Sequence, residues 1–134
     1  MRILVTGHEG FIGKNIYTRL SAIGHDVSGY EYTAEYFPQV VNYDWVIHCG
    51  AISSTTERDI DKVWACNYNF TKRIIHDCQQ QQTHLQYSSS ASVYGPYQNF
   101  HEDDPCLPQS PYAWSKYLID KKLLDQGLDT FNIH

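Results

Sequence analysis

The chain has no C-x-x-C pair, no apolar run approaching eighteen residues and no excess of basic residues, and each absence removes a class of function. Its four cysteines, Cys49, Cys66, Cys78 and Cys106, fall singly in segments that read as strand, helix and loop. Reduced thiols are therefore expected in place of disulfides or a metal site. Without a long apolar stretch or a leader peptide, the chain reads as a soluble, cytoplasmic protein with no membrane partner. Lys and Arg number 10 against 15 Asp and Glu, and a net charge of −5 with scattered cations argues against a nucleic-acid surface. A single domain spanning residues 1–134 fits this length, and it is large enough to bury about two thirds of its unfolded surface. The 11 tyrosines and 3 tryptophans point to an aromatic core or to a surface that pairs with another subunit.

What is present is concentrated first near the start of the chain. Ile3, Leu4 and Val5 are consecutive apolar residues, the pattern of a strand buried on both faces of a parallel sheet. Gly7, Gly10 and Gly13 follow at three-residue intervals, and Lys14 to Leu20 read as a helix with Ile16, Tyr17 and Leu20 on one side. A strand, a glycine turn and a helix start together make an anion site, because free backbone N–H groups and the helix dipole converge there. The first glycine permits the turn, the second lets a pyrophosphate approach, and the third lets helix and strand pack closely. Asp26–Tyr30 is a second short strand that ends on Glu31. A carboxylate about twenty positions past the glycines can accept both hydroxyls of an adenosine ribose and repel a 2′-phosphate, which favours NAD over NADP.

The link from Glu31 to Asp44 leaves room for a loop and about two helical turns, with Pro38 in a first turn. A crossover helix plus a strand does not fit there, so the usual third strand is expected to be absent or vestigial. Asp44–Cys49 reads as a buried strand, with Gly50 and Ala51 leaving its end open to close approach. Asp59–Gln82 reads as a helix buried on two sides, His84–Ser88 as a strand, and 98–109 as a loop. Ser110–Gln126 reads as a helix opened by Pro111, and Thr130–His134 as the start of a further strand. The expected fold is α/β, a doubly wound and mostly parallel Rossmann-like sheet of about four or five strands.

Tyr112 and Lys116 are four residues apart on the last helix and share a face. A phenol titrating near pH 10 is a poor base at neutrality. An ammonium about 5 Å from a phenol oxygen contributes on the order of 3 kcal/mol at an effective dielectric near 20, which lets a phenol exchange protons with a sugar hydroxyl nearer pH 7.

Six segments, in this order, carry a resemblance: Thr6–Gly13, Gly24–Glu31, Asp44–Ala51, Asn67 with Thr71, Ser88–Gly95 and Ser110–Lys116. Together they resemble the amino-terminal part of the extended short-chain dehydrogenase/reductase family, the NAD-dependent nucleotide-sugar epimerases and dehydratases. Within that family, Ser53–Glu57 is similar to the loop of the ADP-glycero-manno-heptose 6-epimerases. The resemblance implies a catalytic set of Ser90, Tyr112 and Lys116, with Tyr112 as acid/base, Lys116 on the nicotinamide ribose and Ser90 on the reacting oxygen. It implies cofactor contacts from Gly7, Gly10, Phe11, Ile12, Gly13, Glu31, Ala51, Ser88, Tyr112 and Lys116, with Ser89 beside them, and a role for Asn67 in tying backbone segments together. It implies that NAD is a bound catalyst, taking a hydride from the sugar and returning it. It further implies a nucleotide-sugar substrate and a homodimer through the helices at 59–82 and 111–126, with contacts from Trp64, Tyr68, Trp114, Tyr117 and Leu118. Family members continue into a substrate-recognising part, so a separate carboxyl-terminal substrate domain is expected to be absent here. The alternative expectation is a catalytically incomplete dinucleotide-binding or interaction module that needs a partner chain.

Overall fold

A computed structural model describes residues 1–96, 99 and 101–127. Strand β1 (Arg2–Thr6) leads through the glycine turn into α1 (Phe11–Ala22), then β2 (Asp26–Tyr30), a 3-10 turn (Val40–Asn42) and β3 (Trp45–His48). Next come α2 (Ile60–Val63), a π-helical turn (Trp64–Asn69), α3 (Phe70–Gln81), β4 (His84–Tyr87), a second 3-10 turn (Ala91–Tyr94) and α4 (Pro111–Gln126). The four strands form one parallel sheet in the order β2-β1-β3-β4. The strand expected near 130–134 lies outside the described residues.

The order explains where the cleft forms. From β1 the chain steps outward to β2 and then returns across β1 to begin β3, so the loops after β1 and β3 diverge to opposite faces. No strand stands between β2 and β3 in the chain, and β2 is left at the sheet edge. The two helical turns expected in that link contract to the one 3-10 turn at Val40–Asn42. Side chains take the backbone groups that a helix needs: Tyr30 Oη donates to the Tyr36 carbonyl at 2.5 Å, and Thr33 Oγ1 accepts the Tyr36 N–H at 3.1 Å. Tyr32 and Phe37 then pack edge-on against Phe70, which draws the link onto α3.

Burial matches the strand pattern. Leu4, Val46 and Leu85, on neighbouring strands, pack with Phe70, Ile74, Ile75 and Cys78 of α3 and with Ile119 and Leu123 of α4 in one core. The helix expected over Asp59–Gln82 is present at Ile60–Gln81, with Asp59 capping it by accepting the Lys62 N–H at 3.0 Å. Its interruption by a π turn was not legible in the residue pattern. Ser110 caps α4 through the Ala113 N–H at 3.1 Å, and Pro111 sits in its first turn.

Two glycines set how closely these elements meet. A Cβ on Gly7, whose φ is +70°, would stand 2.5 Å from Gly50 Cα, and one on Gly13 would overlap the Gly7 carbonyl. Gly10 is different, since its added Cβ would meet only the Gly7 oxygen at 3.3 Å. Gly13→Ala is therefore expected to cost at least about 2 kcal/mol, and Gly10→Ala less than about 1 kcal/mol, in urea unfolding followed by tryptophan fluorescence. Equal midpoints for the two variants would contradict this packing.

Candidate functional site

The carboxyl edge of the sheet is where the loops gather. The hydrogen-bond ladder runs past the strand ends: Gly7 N–H donates to the Tyr30 carbonyl at 2.8 Å, Cys49 N–H to Thr6 at 3.2 Å, and Ser88 N–H to His48 at 3.2 Å. Gly7, Glu31, Cys49 and Ser88 consequently leave the sheet at one level. A cleft of about 290 Å³ lies there, lined by Thr6, Gly7, Glu31 and Tyr32 from the ends of β1 and β2, by Gly50, Ala51 and Ile52 from the loop after β3, and by Lys62, Cys66 and Phe70 from the helical segment that follows.

The amino end of α1 faces this edge without a side-chain cap at Gly10 and without an acidic residue in its first turn. The first intrahelical bond is Lys14 N–H to the Gly10 carbonyl at 2.8 Å, so the amides just before it are left for an outside acceptor. Phe11 and Ile12 have exposed side chains, and what they bring to such a site is main chain. A cradle that an added Cβ would fill, with uncapped amides and no competing carboxylate in the helix turn, fits a pyrophosphate. Glu31, at the end of β2, accepts the Glu9 N–H at 2.8 Å through Oε1.

Beneath the turn is a buried relay that sequence reasoning missed. Thr6 Oγ1 is 2.5 Å from His48 Nδ1, His48 Nε2 is 2.7 Å from Thr71 Oγ1, and Gly50 N–H reaches Thr6 Oγ1 at 3.3 Å. Burial, helped by the charge of Lys116, pushes the His48 pKa down to about 3, so the ring is a neutral donor and acceptor between two hydroxyls. It ties β1, β3 and α3 together at the level of the cleft.

The π turn places Asn67 inward. Its Oδ1 accepts the Ile52 N–H at 2.8 Å, and its Nδ2 donates to the Ile52 carbonyl at 3.0 Å and to Ser115 Oγ at 3.2 Å. Ser115 Oγ in turn donates to the Tyr112 carbonyl at 2.7 Å. One amide thus holds the loop after β3 and the first turns of α4 in a common frame, a use of a π turn that local periodicity does not reveal.

Lys116 is only 4% exposed, and its Nζ donates to the Ser88 carbonyl at 2.7 Å while lying 4.8 Å over the Tyr87 ring. The ammonium therefore sits at the carboxyl end of β4, two strand spacings or about 10 Å along the edge from β1. Ser88 Oγ turns to Cys49 Sγ at 3.8 Å. Ser89 Oγ donates to Asp120 Oδ2 at 2.5 Å, and Ser90 Oγ accepts the Ser92 N–H at 3.2 Å and lies 2.9 Å from Ser92 Oγ. Tyr112 is half-buried at the start of α4, and among the described residues no hydrogen bond joins it to Ser90. Asp120 is the residue that sequence reasoning passed over, although the 112, 116, 120 spacing puts it on the same helix face.

Burial depresses the Lys116 pKa to about 8, and the Asp120 carboxylate works against that fall. Burial also raises the Asp120 pKa, opposed by the Ser89 hydroxyl and by Lys116. Between about pH 8 and the ordinary lysine value, the unfolded chain holds a proton that the folded chain lacks, so this group's contribution to stability grows as pH rises through that window and is lost as pH falls through it. Wild type is therefore expected to gain about 1–3 kcal/mol relative to Lys116→Met between pH 8 and 10.5 in urea unfolding. A constant difference would place the ammonium in solvent.

Among the described residues no helix is long and apolar enough to cross a membrane, and no group of three or more His, Cys, Asp and Glu is placed to hold a metal. Residues 3–129 match the model of the NAD dependent epimerase/dehydratase family. The chain is 33% identical, over 90% of its length, to an ADP-L-glycero-D-manno-heptose-6-epimerase of Brachyspira hyodysenteriae, of which it covers 48%. Its fold is similar to that of MoeE5 solved with UDP-glucuronic acid and NAD, with a TM-score of 0.83 at 26% identity, covering 99% of this chain and 52% of that one. The Helicobacter pylori ADP-L-glycero-D-manno-heptose-6-epimerase shares the fold at a TM-score of 0.81 and 22% identity, over 96% of this chain and 51% of that one. The chain thus spans about half the length of the relatives it matches. With its parallel sheet, its glycine turn and a match over nearly every residue, the chain belongs to the NAD dependent epimerase/dehydratase family.

Proposed function

We propose that the carboxyl-edge cleft binds NAD and that the chain carries the cofactor-binding unit and proton-transfer groups of a nucleotide-sugar epimerase or dehydratase. The observation that carries this reading is the buried Lys116 ammonium, fixed on the Ser88 carbonyl along the same sheet edge as the glycine cradle. Gly7, Gly10, Phe11, Ile12 and Gly13 offer the pyrophosphate backbone amides and close approach. Glu31 takes the adenosine ribose, and Ala51 and Ser88 border the rest of the dinucleotide. Bound NAD supplies a reversible hydride acceptor for a sugar carbon.

The chain's own residues handle the proton and the geometry. Tyr112 exchanges the proton of the reacting sugar hydroxyl, and Ser90 donates to the oxygen that becomes a carbonyl. Lys116 holds the nicotinamide ribose and supplies positive charge beside Tyr112. Asn67 and Ser115 keep the first turns of α4, which carry Tyr112, in register with the loop after β3. The chain spans about half of its relatives, and MoeE5, which shares its fold, was solved with UDP-glucuronic acid and NAD, which supports a nucleotide sugar as the substrate class.

The same reading includes a cytoplasmic homodimer. Trp64 and Tyr68 lie tilted to each other at 4.8 Å within the π turn, and Trp114 meets Tyr117 edge-on at 5.7 Å in the first turns of α4. Trp114 remains 46% exposed, an indole surface of the kind that a symmetry mate covers.

Calorimetric titration tests the cofactor: NAD is expected to bind wild type and Tyr112→Phe equally and Gly10→Ala more weakly, and absence of heat at millimolar NAD would end the reading. Turnover of a sugar nucleotide is expected to fall by about 10²–10⁴ in Tyr112→Phe. Equal rates would remove Tyr112 from the mechanism. Light scattering is expected to give twice the chain mass for wild type and a lower mass for Trp114→Glu, whereas a monomeric wild type at high concentration would rule out the dimer.

A further inference from the structure

Two hydrogen bonds tie the loop after β4 to α4. Lys116 Nζ donates to the Ser88 carbonyl at 2.7 Å, and the hydroxyl of the next residue, Ser89, donates to Asp120 Oδ2. Lys116 and Asp120 stand about one turn apart on a single helix face, so consecutive residues of the loop are fastened to consecutive turns of α4. One residue further, the backbone enters the 3-10 turn that Ser90 caps. There Ser90 Oγ accepts the Ser92 N–H and the Ser90 carbonyl accepts the Val93 N–H, each at 3.2 Å. Those bonds lie inside the turn, so they give it shape without setting where it stands against α4.

The Asp120 carboxylate also acts on the Lys116 ammonium. From the other elements packed around that ammonium come His48 of β3, Cys49 just past its end, Cys66 of the π turn and the Tyr87 ring of β4, with Tyr112 one turn earlier on α4. Burial keeps His48 neutral above about pH 3 and pushes both thiols and the Tyr87 phenol above their ordinary values. Asp120 is the carboxylate among them, and it opposes the loss of the Lys116 proton.

We propose that Asp120 is a positioning residue of the proton-transfer site: bound by Ser89, its carboxylate holds the turn that presents Ser90 against the helix that carries Tyr112 and Lys116. The inference rests on the reading of the cleft as an NAD site with Ser90, Tyr112 and Lys116 beside it. Ser90 and Tyr112 come from different elements and must act on one sugar oxygen together, so a turn free to slide along α4 would bring them into range only part of the time. The hydrogen bond of Asp120 sets the place of the turn, and its charge keeps the neighbouring ammonium protonated.

Three substitutions separate these two effects. Ser89→Ala removes the hydrogen bond and keeps the charge, Asp120→Asn removes the charge and keeps an acceptor for Ser89, and Asp120→Ala removes both. In native-state hydrogen exchange on the full chain, the Ser92 and Val93 amides are expected to exchange about three- to tenfold faster in Ser89→Ala and Asp120→Ala, and at the wild-type rate in Asp120→Asn. NAD affinity, followed by calorimetry between about pH 6.5 and 9.5, is expected to weaken in wild type as Lys116 loses its proton at about pH 8. That midpoint is expected about one pH unit lower in both Asp120 variants and unmoved in Ser89→Ala, a difference that a merely structural role does not produce. Ser89→Ala and Asp120→Asn decide both measurements even if Asp120→Ala does not fold. Wild-type exchange in Ser89→Ala, or one midpoint for every protein with NAD bound, would overturn this inference alone. Absence of NAD binding to wild type throughout the range would overturn the reading of the cleft with it.

Discussion

The contact on which the rest of the molecule depends is between two backbones. Gly7 and Gly50, just past the ends of β1 and β3, approach so closely that Gly7 has no room for a side chain and one on Gly50 would be tight against Gly7 and Thr6. These two strands are the ones from which the chain departs to opposite sides of the sheet, and the crevice between their loops opens at that contact. Gly13 against the Gly7 carbonyl repeats the constraint one turn later and fixes the start of α1 over the same spot. Bulk at any of these points would push the helix dipole away from its anion, so steric economy and electrostatics favour the same residues.

Around that contact the protein uses buried polar groups as fasteners. His48 between Thr6 and Thr71, and Asn67 among Ile52 and Ser115, lie in the interior with their hydrogen-bonding capacity met. Left unpaired, such groups would each cost a few kcal/mol, so they hold loop, sheet and helix in one arrangement. Lys116 is the costly member. Its ammonium is buried for the sake of position, with the Ser88 carbonyl, the Tyr87 ring and the Asp120 carboxylate one helical turn on offsetting part of the lost hydration. A depressed lysine pKa is the physical trace of that compromise, and it marks the neighbourhood in which a phenol and a cofactor ribose are proposed to meet.

The shortened link after Glu31 has a consequence of its own. In place of a crossover helix and strand there is an aromatic cluster of Tyr30, Tyr32, Phe37 and Phe70, of which Tyr32 and Phe70 line the cleft, with Arg73 3.8 Å over Phe37. The sheet loses a strand, and the wall beside Glu31 becomes aromatic.

The features read correctly from residues alone were those with short-range causes. Three consecutive apolar residues made β1, glycines at fixed spacing made the turn, Pro111 after Ser110 opened α4, and a link too short for a crossover removed a strand. What only the tertiary structure decided were pairings across long separations: Glu31 with the Glu9 amide 22 residues away, Ser89 with Asp120 at 31, and Asn67 with Ser115 at 48. Helix and turn preferences are set within a few residues and so are written locally, whereas the partner of a buried polar group is chosen by which elements the sheet order brings together, and no local pattern encodes that choice.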